Sequence, residues 1–344
     1  MPKDNENIRL PFTGPIEPSE PQGFTPAQMI GCDECLRANP PTRVACLYCN
    51  APLPITESSA QLRRPVLRTP DRHESAYSNI LLPLDSEPSS EVIAQAAALL
   101  KLSPENLQRI VSEKMPLPVA FTASREEAEL VLNRLRDFGL PTTIVSDDSL
   151  DPSAVKRVKA MQTDQHSALL YQAGTTETTE IRWEDVLLIV TGRLFVSRVE
   201  IQERKTRRPE NEIVQASEFS SDEAVIDFYS RPDSAGARQT WRVSANGFDF
   251  SCLRERMTLI TNENIARVQQ LIVDHATRAK LDDSYNRLRT ALDLVWKTQA
   301  ETQSSGWRRE RPGKLSIGVA SIKSNESQFT RYSRMQMYLN FYVR

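Results

Sequence analysis

A multidomain chain of the α+β class is predicted by three observations. At 344 residues the chain is long enough for two or three units, each with its own core. Its 22 prolines against 11 glycines favour stiff connectors over one uninterrupted body. The apolar pattern also changes along the chain: a cysteine-dense segment gives way to short strands alternating with amphipathic helices, then to period-two runs. The expected order is an unstructured segment at 1–28, a four-cysteine module at 29–54 and a linker at 55–76. A small α+β domain follows at 77–148, a linker at 149–164, a strand-rich domain with a closing helix at 165–279, and a helical, basic extension at 280–344.

The composition narrows the function classes. Charged residues make up 26% and the net charge is −2, which argues against a globally basic nucleic-acid binder but not against a local basic patch. The start, Met1-Pro2-Lys3-Asp4, lacks an apolar signal core, and no run of about 20 apolar residues is present to span a bilayer. Five cysteines, four of them in one motif, do not make a disulfide framework. The expectation is a cytoplasmic protein with no transmembrane segment. Sequence leaves its oligomeric state open.

Residues 1–28 are rich in Pro, Glu and Asn and show no hydrophobic period. Cys32-Asp33-Glu34-Cys35 and Cys46-Leu47-Tyr48-Cys49 then form two C-x2-C pairs separated by ten residues. Each pair can bend a tight turn that points both sulfurs at one ion. Four thiolates with no histidine or carboxylate favour Zn2+ or an iron–sulfur site over a hard cation. For zinc, a closed set of four is structural, because no position is left for substrate. Cys32, Cys35, Cys46 and Cys49 are therefore the predicted metal ligands. The linker that follows carries Arg63-Arg64, Arg68 and Arg72, which suits a solvated connector.

In the small α+β domain, Ile80–Leu84 reads as a strand, and Val92, Ile93, Ala96, Leu99 and Leu100 recur at helical spacing. Ser103-Pro104 is a helix start, with a capping Ser and a Pro in the first turn. Leu117–Phe121 is a second strand. Ser124-Arg125-Glu126-Glu127 is a capping box whose helix ends at Gly139, the residue best able to take a left-handed C-cap. Thr142–Val145 closes a β-α-α-β-α-β sandwich with its helices on one sheet face.

The third domain reads as strands at Ala168–Tyr171, Ile181–Trp183 into Val186–Val190, Phe195–Ile201, Ala224–Tyr229, Trp241–Val243 and Phe248–Cys252. In the last run Phe248, Phe250 and Cys252 share one side, as a half-buried strand requires. Cys252 reads as a small core residue. Glu203–Glu210 and Arg231–Arg238 read as loops, and a helix with Ile265, Val268, Leu271 and Ile272 on its face closes the domain. The extension adds a helix over Asp283–Lys297, an exposed basic return loop at Trp307–Lys314, and a final helix from Asn325 with Phe329, Tyr332, Met335, Leu339 and Tyr342 along one side. From Lys297 onward it carries nine basic residues against three acidic ones.

Three resemblances rest on these residues. The spacing C-x2-C-x3-N-x6-C-x2-C, centred on Asn39, resembles the Ran-binding-protein type of zinc finger, and Cys46–Pro54 is similar to a zinc-ribbon knuckle. That family usually has a Trp two residues before the first Cys, where this chain has Ile30. Its ubiquitin-binding members carry Thr-Phe after the second Cys, where Leu36-Arg37 stands here. Its RNA-binding members use aromatic and Arg side chains on single-stranded bases, a role that would fall to Arg37, Arg43 and Tyr48. The stretch from Leu102 to Val145, with "SREEAELVLNRLRDFG" as its clearest part, resembles the C-terminal domain of the bacterial ribosomal stalk protein. The resemblance implies a fold used for protein contact; the Gly- and Lys-bearing docking helix of that family is not reproduced in Ser103–Met115. Many short strands ended by one helix resemble, in outline, a pleckstrin-homology-like barrel.

No catalytic constellation is legible. His73, His166 and His275 have no nucleophile or carboxylate at triad spacing, and no Gly-rich phosphate loop or H-E-x-x-H is present. Asp227, Asp249 and Asp282-Asp283 read as strand exteriors and a cap. The functional expectation is a non-enzymatic, zinc-binding adaptor or scaffold making protein–protein contacts, with RNA or ribosome association through the finger and the basic tail as the alternative.

Overall fold

The computed structural model describes residues 23–43, 45–54, 76–150, 155–204, 212–231, 239–311 and 314–342. Helix and sheet are mixed, and the chain divides into two compact units, Met1–Arg64 and Pro65–Arg344. Residues 1–22 of the expected unstructured segment and 55–75 of the expected linker lie outside the described residues. Within 23–28, Pro26–Gln28 form a 3-10 turn closed by a reciprocal capping box with Thr25, so this part is structured.

The first unit contains two very short antiparallel strands, β1 (Ile30–Gly31) and β2 (Ala38–Asn39), and a β-bridge between Ala45 and Pro52. Among the described residues its apolar core is Ile30, Cys32, Cys46 and Leu53, with Cys35 and Ala51 against them. So small a core cannot offset the entropy of ordering its chain, and the module needs a staple.

The second unit opens with β3 (Tyr77–Leu81), α1 (Ser90–Leu100), α2 (Pro104–Ser112), β4 (Leu117–Thr122), α3 (Arg125–Asp137) and β5 (Thr142–Ser146). The three strands pair antiparallel in the order β4-β3-β5. Ser89, Ser103 and Ser124 each cap a helix by accepting a backbone N–H, and Gly139 follows α3 at φ 74°. Strand β3 is buried on both faces from Ser78 to Leu81. Both of its polar side chains have a partner: the Trp296 indole donates to Ser78 Oγ at 3.0 Å, and Asn79 Nδ2 donates to Ala128 O at 2.9 Å, while Asn79 Oδ1 has none among the described residues.

A nine-stranded sheet forms the rest. Its strands are β6 (Val155–Thr163), β7 (Ser167–Gln172), β8 (Thr178–Arg182), β9 (Val186–Arg204), β10 (Glu212–Ser230), β11 (Thr240–Ser244), β12 (Lys280–Asp282), β13 (Gln299–Arg311) and β14 (Lys314–Ser324). The order is β13-β14-β9-β10-β11-β6-β7-β8, with β12 pairing β9 in parallel beside Leu188–Val190. Three helices accompany it: α4 (Thr261–His275), α5 (Tyr285–Leu292) and α6 (Glu326–Tyr342).

Several expectations are corrected here. The connector expected at 149–164 contains β6, whose Val158 and Met161 are buried, because β11 and β7 pair with its two sides. The strand expected over Phe248–Cys252 is instead a 3-10 segment, Phe250–Arg256, opened by Asp249 accepting the Ser251 N–H; Phe248 and Phe250 meet edge to face at 5.2 Å. The helix expected over Asp283–Lys297 is confined to Tyr285–Leu292. The basic return loop expected at Trp307–Lys314 is strand: Trp307 pairs with Ile317 and Arg309 with Leu315, and Pro312-Gly313 lie outside the described residues. Strand β10 begins at Glu212, well before the expected Ala224, because it follows β9 along nearly its whole length. Of the two expected loops, 205–211 and 232–238 lie outside the described residues.

The C-terminal elements are part of the body. One contiguous core joins Ile80, Leu100 and Leu135 of the small sheet and its helices to Leu188, Val190, Tyr285, Trp296, Phe329, Tyr332 and Met335. Helix α6 is largely polar in sequence yet buried on most sides, and many of its polar groups find partners, although Ser327 Oγ and Gln336 Nε2 have none among the described residues. Asn325, just before it, donates to Arg193 O and accepts from Phe195 N. Gln328 donates to Trp296 O, and Ser333 meets the Tyr229 hydroxyl at 2.7 Å. Arg331 holds Asp147 through two hydrogen bonds of 2.9 and 2.7 Å, tying α6 to the turn after β5.

Gly192 marks the closest approach of the helices to the sheet. A Cβ there would sit 2.6 Å from Phe329 Cε2 and 2.8 Å from Tyr285 Cδ1, and these rings are locked edge to face at 4.9 Å. We expect Gly192→Ala to destabilise the second unit by roughly 1–3 kcal/mol through overpacking. A thermal midpoint unchanged from wild type would contradict this packing.

Candidate metal centre

The four predicted ligands arrive in pairs on two similar turns. Leu36 N donates to Cys32 O at 2.8 Å and Asn50 N to Cys46 O at 3.1 Å, closing each C-x2-C turn. The return hydrogen bonds, Cys32 N to Arg37 O at 3.0 Å and Cys46 N to Ala51 O at 2.8 Å, stack the turns into two knuckles. Such a turn requires a left-handed residue after its second cysteine. Leu36 and Asn50 occupy those places, each at φ 59°. Asn tolerates this conformation; for Leu it costs on the order of 1 kcal/mol.

The knuckles bring all four sulfurs within 4.8 Å of one another. Cys32 Sγ lies 3.5 Å from Cys49 Sγ, and Cys35 Sγ lies 3.5 Å from Cys46 Sγ. Tetrahedral bonds of about 2.3 Å would place the sulfurs about 3.8 Å apart, inside the observed span. The donor set therefore fits one tetrahedral, thiophilic ion. No fifth donor type enters: among the described residues this is the one group of three or more His, Cys, Asp or Glu side chains placed to share an ion.

Asn39 is the residue whose role only the structure reveals in full. It is completely buried between the knuckles. Its Oδ1 accepts the Leu47 N–H at 2.8 Å, and its Nδ2 donates to Arg37 O at 2.9 Å and to Cys46 Sγ at 3.5 Å. It thus fixes the spacing of the knuckles and lends a donor to a ligand sulfur. Tyr48 N points at the same sulfur from 3.4 Å.

Thiol electrostatics push in the same direction. Burial raises the Cys46 thiol, but backbone N–H groups of Cys49 and Tyr48 and the donors around it more than reverse this and bring it down to about 6. At Cys49 a backbone hydrogen bond at Ala51 lowers the thiol, but burial and the three neighbouring sulfurs outweigh it and push the thiol up to about 12. Four sulfurs this close cannot all ionise without a cation between them.

The remaining candidates do not assemble. Cys252 is half-buried, and burial pushes its thiol up to about 11, away from nucleophile character. It lines a cleft of about 630 Å³ with Asp164, Ser167, Glu180 and Arg254, and no histidine lines that cleft. His166 and His275 line a separate cleft of about 420 Å³ with Trp183 and Arg278, whereas His73 lies outside the described residues. Asp227, expected on a strand exterior, is fully buried against Arg242, which reaches it across β10 and β11. Asp282 is also buried, accepting from Ser284 N and from the Tyr332 hydroxyl. Asp249 caps the 3-10 segment.

No protein-family model, curated protein or solved structure matches this chain. Among the described residues no helix is long and apolar enough to cross a membrane.

Proposed function

We propose that the chain is a zinc-binding, non-enzymatic adaptor whose four-cysteine module, of the Ran-binding-protein finger type, presents a contact surface to a partner protein in the cytoplasm. The convergence of Cys32, Cys35, Cys46 and Cys49 supports zinc as a structural ion. The small α+β domain with its stalk-protein likeness, and the strand-rich domain with its pleckstrin-homology-like outline, then serve as further contact platforms.

The observation that carries the contact reading is what the knuckles display. Leu36 is 85% exposed, and Leu47 and Tyr48 are more than half exposed, on a module whose core is four residues. Leu36 also accepts an unfavourable left-handed backbone without burying its side chain. The knuckle turn accounts for that backbone, so it is the exposed apolar side chains that support a surface kept for binding. We expect Leu36→Gly combined with Leu47→Ser to leave metal content intact, because neither side chain supports the ion. The same variant should lose partners captured from native lysate by the wild-type chain. Equal capture by both proteins would refute the surface.

A second reading is favoured by one contact. The Arg37 guanidinium lies 4.6 Å over the Tyr48 ring, a cation–π pair of the kind that stacks on unpaired bases. If RNA is the partner, nuclease treatment removes the captured material, and binding to single-stranded RNA falls with salt and with Arg37→Ala and Arg43→Ala.

A further inference from the structure

Strand β10 is paired on one side along its whole length and on the other only near its end. Its β9 partners run from Arg204 to Val186, whereas β11 pairs only with Val225–Tyr229. The last contacts on the β11 side are Ala245 N to Ala224 O at 2.9 Å and Asn246 N to the Glu223 carboxylate at 2.9 Å. Over Ser217–Asp222 the outward backbone N–H and C=O groups have no strand partner among the described residues. This edge lacks two of the usual protections, a proline and a bulge, and carries only charge. It contains no proline, and the pairing with β9 is regular from Gln215 to Tyr229.

The side chains along this edge have one sign of charge. From Glu212 to Ser230 the sequence carries no Lys or Arg; the basic residues Lys205, Arg207 and Arg208 come before the strand. Glu218 and Asp222 lie four apart and so share one face of the strand. Asp222 is held by Arg193 at 3.2 Å, whereas Glu218 has no ion pair among the described residues. On the opposite face Phe219 is 66% exposed, and Ser217 to Ser220 are all exposed. A second copy of the same edge would set carboxylate against carboxylate, which disfavours self-pairing.

We propose that the outer edge of β10 over Ser217–Asp222 receives an extended, lysine- or arginine-bearing segment of a partner protein as an added strand. Main-chain hydrogen bonds to the open edge supply affinity. Basic side chains on one face meet Glu218 and Asp222, and an apolar residue on the other face covers Phe219. The added strand must space its basic positions by an even number of residues, because only even spacing keeps them on one face.

The test uses the full chain and a seven-residue peptide alternating lysine with valine. We expect saturable binding, with amide shifts and new exchange protection confined to Ser217–Asp222. Methylating alternate backbone nitrogens of the peptide should weaken binding at least about tenfold, since several main-chain hydrogen bonds are lost together. Replacing its lysines by glutamates should abolish binding, and Glu218→Lys in the protein should weaken it roughly fivefold. Absence of saturation, equal affinity for the N-methylated peptide, or shifts centred elsewhere would each overturn the proposal. Self-association of the chain through this edge, seen by sedimentation and removed by Glu218→Lys, would overturn it in favour of a second copy.

Discussion

Removing the metal is expected to unfold residues 30–54 while leaving 76–342 folded. The ion's binding free energy is the module's folding free energy, about 10–16 kcal/mol for structural zinc at neutral pH. Among the described residues nothing else in the module approaches that figure, because the core there consists of Ile30, Cys32, Cys46 and Leu53. The second unit has its own cores and does not share this dependence. Purified under reducing conditions, the chain should carry one zinc equivalent, and Cys46→Ser should carry none. A strong chelator should collapse the amide signals of the module alone. Acidification should act as the chelator does. Metal binding requires thiolates, so protons compete increasingly as the pH falls below the ordinary thiol range near ~8.5. Against the lowering hydrogen bond at Ala51, burial and the neighbouring sulfurs push the Cys49 thiol up to about 12, so binding of the ion there releases a proton to solvent. A colourless, stoichiometric complex assigns zinc; visible absorbance assigns an iron–sulfur site. Preserved dispersion of residues 30–54 in metal-free protein would remove the basis of the adaptor reading.

Cutting the buried ion pair of the second unit should have the next largest effect. Arg242 grips Asp227 through Nε at 2.7 Å and Nη2 at 2.8 Å, with exposures of 2% and 0%. Burial opposes the Arg242 charge, but the Asp227 carboxylate outweighs it and holds the guanidinium above its ordinary range. The same guanidinium reaches Thr330 Oγ1 at 3.0 Å and Glu326 Oε1 at 3.3 Å, so the pair also anchors α6 to the sheet. Removing one partner strands a charge in the interior. Asp227→Asn or Arg242→Met should therefore cost about 3–5 kcal/mol, a large share of a total near ~5–15 kcal/mol. The double replacement Asp227→Leu with Arg242→Met should recover part of the loss, because the stranded charge is gone. Denaturant midpoints of the three variants decide it. Single variants within 1 kcal/mol of wild type would show that the pair is not buried as described.

How far the sequence could be read depended on the range of the interaction. Two of the capped helices and the β-α-α-β-α-β order were legible because Ser103, Ser124 and Gly139 act on backbone groups a few residues away, whereas the Ser89 cap of α1 emerged only from the structure. The four-cysteine cluster was legible for a related reason: a C-x2-C turn is local, and thiolate chemistry needs no distant partner to be recognised. What lay beyond reach was set by pairing between distant segments. Strand β6 looked like a polar connector because its burial comes from β11 and β7. Asp227 looked like a solvent-facing acid because Arg242, fifteen residues on, is invisible to a period count.

By itself, then, the sequence determined the four-cysteine cluster, the helix starts at Ser103 and Ser124 with the stop at Gly139, and the apolar stripes of α4 and α6. Only the tertiary structure decided that α6, polar along most of its length, lies inside the body, and that Asn39 locks the two knuckles. It alone revealed that one side of β10 over Ser217–Asp222 has no strand partner among the described residues. The physical reason is common to these cases. Propensity and spacing act within a turn or two of chain. Burial of polar groups and exposure of a strand edge depend on which remote segment is, or is not, beside them.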